Sequence, residues 1–171
     1  MPASFRDQLA VVEELRREVA RMEEGERRFA GRPAPRGYER ELRVAGLAQL
    51  IGQAYTIIEG VLAFVARRID GAPVTGEEWH KALIARCAHP YDKPERPALV
   101  PPALAEDLLE LCEFRHVVRN IYPTRLDEAR VRENLERLVR ASRDFGEACE
   151  RFGSRPAPNR KRRRASRAAR R

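Results

Sequence analysis

Cysteine is scarce in this chain. Cys87, Cys112 and Cys149 are the three cysteines in 171 residues. An odd number, far apart, each inside a helical pattern, reads as reduced packing thiols and not as a disulfide framework. No Cys-x-x-Cys pair, His-Glu-x-x-His run, Gly-rich phosphate loop or nucleophile elbow is found, so the usual signatures of metal, nucleotide and acyl-transfer chemistry are missing. The histidines, His80, His89 and His116, lie on different segments and propose no metal site. No cofactor is expected. The N-terminal run MPASFRDQLAVVEELRREVARMEEGERR is charged every few residues, with no apolar stretch or small-residue cleavage site, which argues for a cytoplasmic protein.

Acidic residues disappear after Ser154, where nine Lys or Arg follow; without these, the formal charge of +8 leaves residues 1–153 at −1. The folded part is therefore nearly neutral and the basicity belongs to the tail. With Pro, Ala and Arg offering almost nothing to bury, residues 154–171 are expected to be disordered, beside one helical domain over 1–153. Such an arm attracts RNA, DNA or acidic surfaces without sequence preference, or is an incidental solubilising terminus.

Apolar periodicity at three, four and seven predicts an all-α chain. A first amphipathic helix covers about residues 5–29, with Phe5, Leu9, Val12, Val19 and Met22 on one side, and GRPAPRG at 31–37 ends it. A second covers 38–69, and its run VAGLAQLIGQAYTIIEGVLAFVA at 44–66 is long enough to cross a membrane. Against a span, Gln49, Gln53, Thr56 and Glu59 line up on one face, a stripe of amides and a carboxylate that lipid rarely accepts. A central core helix with one polar stripe is the reading, and no membrane partner is expected. A short helix at 76–88 starts with Thr75 as N-cap, and HPYDKPERPALVPP at 89–102, with five prolines, reads as an irregular surface loop. Two more helices follow, at about 103–122 and 127–152. The buried face of the first is Leu104, Leu108, Leu111, Phe114, Val118 and Ile121; that of the second, opened by Asp127, is Val131, Leu135, Leu138, Phe145 and Cys149. Nothing reads as a strand. An up-and-down four-helix bundle with one short extra helix is the architecture.

The residues with chemistry concentrate in CEFRHVVRNIYPTRLD, 112–127. Arg115, Arg119 and Tyr122 are spaced by four and three and share a face; His116 and Asn120, four apart, lie beside them. Spacing alone also fits a solvated charged face capped by Tyr122.

AYTIIEG in the core helix, GEEWHKALI, EFRHVVRNIY and LDEARV together resemble the HEPN superfamily, in particular HepT-like ribonuclease toxins encoded beside a nucleotidyltransferase antitoxin. The resemblance covers most of residues 38–150. It implies a homodimer in which two copies of the motif face one cleft, and metal-independent cleavage of RNA through attack of the 2′-hydroxyl on the adjacent phosphate. The superfamily motif is Arg, four residues, His, one residue, Tyr; here Arg115 supplies the Arg, Tyr122 the Tyr, and Asn120 stands where His belongs. By the resemblance Arg115 meets the phosphate charge, helped by Arg119, and Tyr122 receives AMP from the antitoxin. Asn120 can position a phosphate but cannot move a proton, so either His116, one turn earlier, substitutes or the protein is a weak or inactive dimer that binds RNA or its partner. A third possibility, a helical scaffold with affinity only in its tail, stays open. Glu59, an acid in the apolar middle of the core helix, needs a partner, and the resemblance brings it close to Arg115, as a structural or an orienting pair.

Overall fold

The computed structural model describes residues 3–30, 32, 35–92, 95–120 and 126–154. The expected all-α bundle is present. Its helices are α1 (Ala3–Ala30), α2 (Tyr38–Phe64), α3 (Trp79–Ala88), α4 (Pro102–Asn120) and α5 (Glu128–Ser154). Four of them form a ring in which α1 packs on α2 and α5, and α4 closes the other side by packing on α2 and α5. The short α3 lies across α2 and α4.

The apolar positions account for this arrangement. Phe5, Val12, Leu15 and Val19 of α1 and Val131, Leu135, Leu138, Phe145 and Cys149 of α5 are all buried, as the two helices' strong amphipathicity requires. Gly146 lets α1 approach closely, since a Cβ there would stand 2.9 Å from Cδ of Arg16. The long apolar helix α2 is the centre of the core, with Ile51, Tyr55, Ile58 and Leu62 fully covered. It is the one described helix long and apolar enough to cross a membrane, and about half of its most apolar stretch is buried inside the bundle. Asp127 opens α5 as its sequence position suggests, its carboxylate accepting from the backbone N–H of Ala129 at 2.9 Å.

Three expectations are corrected. The short helix begins at Trp79, not Gly76, and Thr75 does not cap it: Gly76 has φ +113°, outside any helical conformation, and Glu78 takes the cap position without a side-chain bond. The segment at 89–102 is not wholly irregular, because Tyr91–Asp92 (β1) and Glu95–Arg96 (β2) pair antiparallel, Tyr91 opposite Arg96 and Asp92 opposite Glu95. Strands of two residues are too short to carry an alternation. Nor does the segment simply lie on the surface, since Leu99 and Val100 are buried and both backbone N–H groups donate to the Cys87 carbonyl, at 2.9 and 3.1 Å.

Arg96 fixes that hairpin. Its Nε and Nη2 donate to the two Asp70 oxygens at 2.5 and 2.9 Å, and its remaining donors reach the carbonyls of Arg86, His89 and Pro97 at 3.0–3.1 Å. Asp70 is in place because α2 ends in a widened π-helical turn, Val65–Ile69, in which the Asp70 N–H donates to the Val65 carbonyl at 2.9 Å. Ile121, Tyr122 and the tail from 155 onward lie outside the described residues.

Candidate functional site

Glu59 is 5% exposed, which sets the chemistry of its surroundings, because a carboxylate taken from water unpaired costs several kcal/mol. Two side chains answer it. The Nη2 of Arg115 on α4 is 3.9 Å from Oε2, the pairing anticipated from the sequence, but Oε1 has a closer partner, Nδ1 of His80 on α3. Since an ionised carboxylate only accepts, the proton between them is on the ring nitrogen. The indole of Trp79 lies against the imidazole, with ring centroids 3.7 Å apart. His80 is the residue that sequence reasoning passed over. The sequence signalled only that the buried acid needed a donor, and the Arg alone was considered.

Arg115 is half-buried and held at a second point. Its Nε donates to Thr56 Oγ1 at 3.0 Å, and the Thr56 hydroxyl donates to the Gly52 carbonyl at 2.9 Å. A Cβ on Gly52 would meet Cγ of Arg115 at 3.7 Å, so the small residue lets the arginine stem lie along α2. The polar stripe of α2 therefore does point at something. Gln49, Gln53 and Thr56 border a hollow of about 170 Å³ whose other wall is Arg115, Val118 and Arg119.

On the opposite side of Arg115 opens a cleft of about 1080 Å³ between the start of α3 and the last turns of α4. His80, Arg115, His116, Arg119 and Asn120 all line it, together with the Glu77, Glu78 and Glu113 carboxylates and Lys81. Two histidines that sequence distance kept apart, His80 and His116, thus share one cleft. Lys81 Nζ is 3.3 Å from Glu113, and that hydrogen bond raises the lysine pKa above its ordinary value. Asn120 faces the cleft, but its Nδ2 donates at 2.8 Å to the His116 carbonyl of its own helix. The His116 ring makes no hydrogen bond among the described residues, and it is exposed. Tyr122 lies outside the described residues, two positions past the end of α4.

Behind the cleft, Tyr55 is 1% exposed and its hydroxyl has no hydrogen-bond partner among the described residues. Burial, then the Cys112 thiol beside it, push its pKa well above the usual phenol value, so it stays neutral. Among the described residues no three His, Cys, Asp or Glu side chains converge so as to hold a metal ion. The site as built can bind anions through two arginines and move protons through imidazole.

No curated protein and no solved structure matches the chain. A family model does, under the description HepT-like protein, and it spans residues 46–155, from the first third of α2 to the end of α5. That span contains every residue of the cleft. The chain belongs to the HepT-like family of the HEPN superfamily.

Proposed function

We propose that this protein is a HEPN-type toxin that cleaves RNA without a metal ion, in the cytoplasm and as a homodimer, under the control of a nucleotidyltransferase antitoxin. The observation that carries the reading is the cleft itself. Arg115 and Arg119 stand on its wall beside two imidazoles, so a phosphate drawn in by the guanidinium charge meets groups able to carry protons. Arg115 is pre-set for that task by Thr56 and Glu59, which fix the guanidinium before any ligand arrives. Three carboxylates match the three cations on the cleft wall, so the attraction is confined to the two guanidinium groups in a body that is nearly neutral. The basic tail supplies nonspecific attraction.

The dimer rests on α2, where Leu42 and Leu50 are 56% and 45% exposed on the same side with Gly46 between them. A second copy covering that stripe removes an apolar surface from water. The antitoxin's role rests on Tyr122, whose phenol follows α4 within two residues of Asn120. An adenylate attached there would carry phosphate charge next to Arg119 and Arg115 and occupy the place of RNA phosphate.

The test is cleavage of a labelled single-stranded RNA in EDTA, with Arg115→Ala alongside. The reading requires metal-independent cleavage by the wild type, loss of both binding and cleavage in Arg115→Ala, and no cleavage of a substrate carrying 2′-deoxyribose at the scissile position. Coexpression with a nucleotidyltransferase encoded beside this chain should add AMP to Tyr122 by mass spectrometry; an unmodified chain, or adenylate on another tyrosine, overturns that part. A second reading, an inactive dimer that only holds RNA or its partner, is favoured by one observation. The residue at the motif's histidine position is Asn120, and its amide is turned back onto its own helix. Binding without cleavage by the wild type would establish it.

A further inference from the structure

We propose that His80, and not a residue of the α4 motif, is the general base of the cleft, with Glu59 as its positioning residue. This rests on the cleavage reading above and deepens it. The motif lacks a proton acceptor at Asn120, so the chemistry requires one from elsewhere. His80 and His116 are the imidazoles on the cleft wall.

Geometry separates the two. The His80 Nδ1–H is hydrogen-bonded to Glu59, a nearly buried carboxylate, and this bond selects the tautomer whose other nitrogen, Nε2, is unprotonated and able to accept. The same carboxylate stabilises the imidazolium that forms, and the Trp79 ring restricts the imidazole plane. The His80 side chain is 28% exposed, partly sheltered yet open to the cleft. His116, by contrast, is exposed and has no orienting acceptor among the described residues.

Glu59 also links the two halves of the reaction. Its Oε1 holds His80 and its Oε2 stands 3.9 Å from Arg115, so one buried carboxylate sets both the base and the phosphate anchor. The charged groups facing His80 are Glu59 from α2 and Arg115, His116 and Glu113 from α4, with Glu77, Glu78 and Lys81 on its own segment.

In the step this implies, the 2′-hydroxyl gives its proton to His80 Nε2 as a bond forms between its oxygen and phosphorus. The bond from phosphorus to the 5′-oxygen breaks, and that oxygen takes a proton from water. The imidazolium then returns its proton to solvent. The products are a 2′,3′-cyclic phosphate and a 5′-hydroxyl, with Arg115 and Arg119 meeting the charge that builds on the phosphoryl oxygens.

The test uses the full-length chain, a labelled single-stranded RNA and single-turnover rates across pH. His80→Asn keeps an N–H donor for Glu59 but removes the base. It should slow cleavage at neutral pH by about 10²–10⁴-fold, leave RNA affinity unchanged, and lack the fall in rate on acidification that the proposal requires of the wild type. Asn120→His in the His80→Asn background should restore much of the loss by returning a base to the motif. A melting curve checks the fold, and His80→Gln provides a second variant if His80→Asn is unstable. Products ending in 3′-hydroxyl and 5′-phosphate would overturn the proposal, as would a His80→Asn protein that cleaves like the wild type with the same pH profile. If the wild type binds RNA through Arg115 but leaves it intact, the cleavage reading itself falls and the base assignment with it. If the wild type cleaves and His80 is dispensable, the assignment alone falls.

Discussion

Replacing Arg96 with methionine is the sharpest test of how the short helix is held. The guanidinium is 3% exposed and the Asp70 carboxylate not at all, so the substitution leaves a fully buried charge with nothing to neutralise it. Breaking a buried pair from one side costs about 3–5 kcal/mol. The carbonyls of Arg86, His89 and Pro97 lose their donor as well, although loosening of the hairpin would let water replace some of it. For a chain of this size each kcal/mol moves the melting temperature by roughly 2–4 °C, so Arg96→Met should melt about 6–20 °C below the wild type. The Asp70→Leu/Arg96→Met double variant removes both charges and fills the space with apolar atoms. It should recover a large share of the loss, because the cost lies in the stranded charge and not in the missing pair. Circular dichroism melts and urea titrations of the wild type, Arg96→Met, Asp70→Leu and the double variant form the cycle. A single variant that melts within about 2 °C of the wild type, or a double variant no better than the single, would refute the buried-charge account.

Three other outcomes follow from the geometry. Burial pushes the Cys87 and Cys149 thiols up to about 12, so at neutral pH a thiol reagent should leave both unlabelled in the native protein and reach them only in denaturant; fast native labelling of either would contradict the packing. The hydrogen bond from Arg40 holds the Glu128 carboxyl below its ordinary value, so its contribution is present at neutral pH and is lost as pH falls through that lowered value. With Arg40 largely solvated the pair is worth only about 0.2–1 kcal/mol, and Arg40→Ala should cost that much in urea titrations at pH 7 and almost nothing in strong acid; a cost independent of pH would refute it. Leu50→Arg places a charge in the exposed apolar stripe of α2, and light scattering should find a monomer with unchanged helical content; a persistent dimer would move the interface elsewhere.

The outer helices α1 and α5 were legible because each carries its own period. Phe5 to Met22 and Val131 to Cys149 mark their inward faces without reference to any other part of the chain. The need of Glu59 for a partner was legible too, since a lone acid among Ile57, Ile58, Val61 and Leu62 has one physical remedy. The identity of the nearer partner was not. His80 is 21 residues away on a separate helix, and no spacing rule connects positions that only tertiary packing brings together. Arg96 and Asp70 were hidden for the same reason, each looking like an ordinary surface charge in a polar segment. Thr75 misled because a good capping residue was weighed without the glycine after it, whose φ of +113° ends any helical path.

The helix α1 holds none of the cleft residues, and the family segment starts only at residue 46, well after it. Yet α1 packs along α5 and against α2, with Phe5 on Phe152 and Arg16 over the glycine face at Gly146. A protein cut at the start of the family segment would lose one wall of the ring and bare that side of α5 to water, while keeping every residue of the cleft. Damage to α1 would therefore register as a loosened cleft with an intact inventory of reactive groups. The N-terminal helix works as a splint, and sequence drift along its inner edge would be limited by the alignment of Glu59, His80 and Arg115 that it helps to keep.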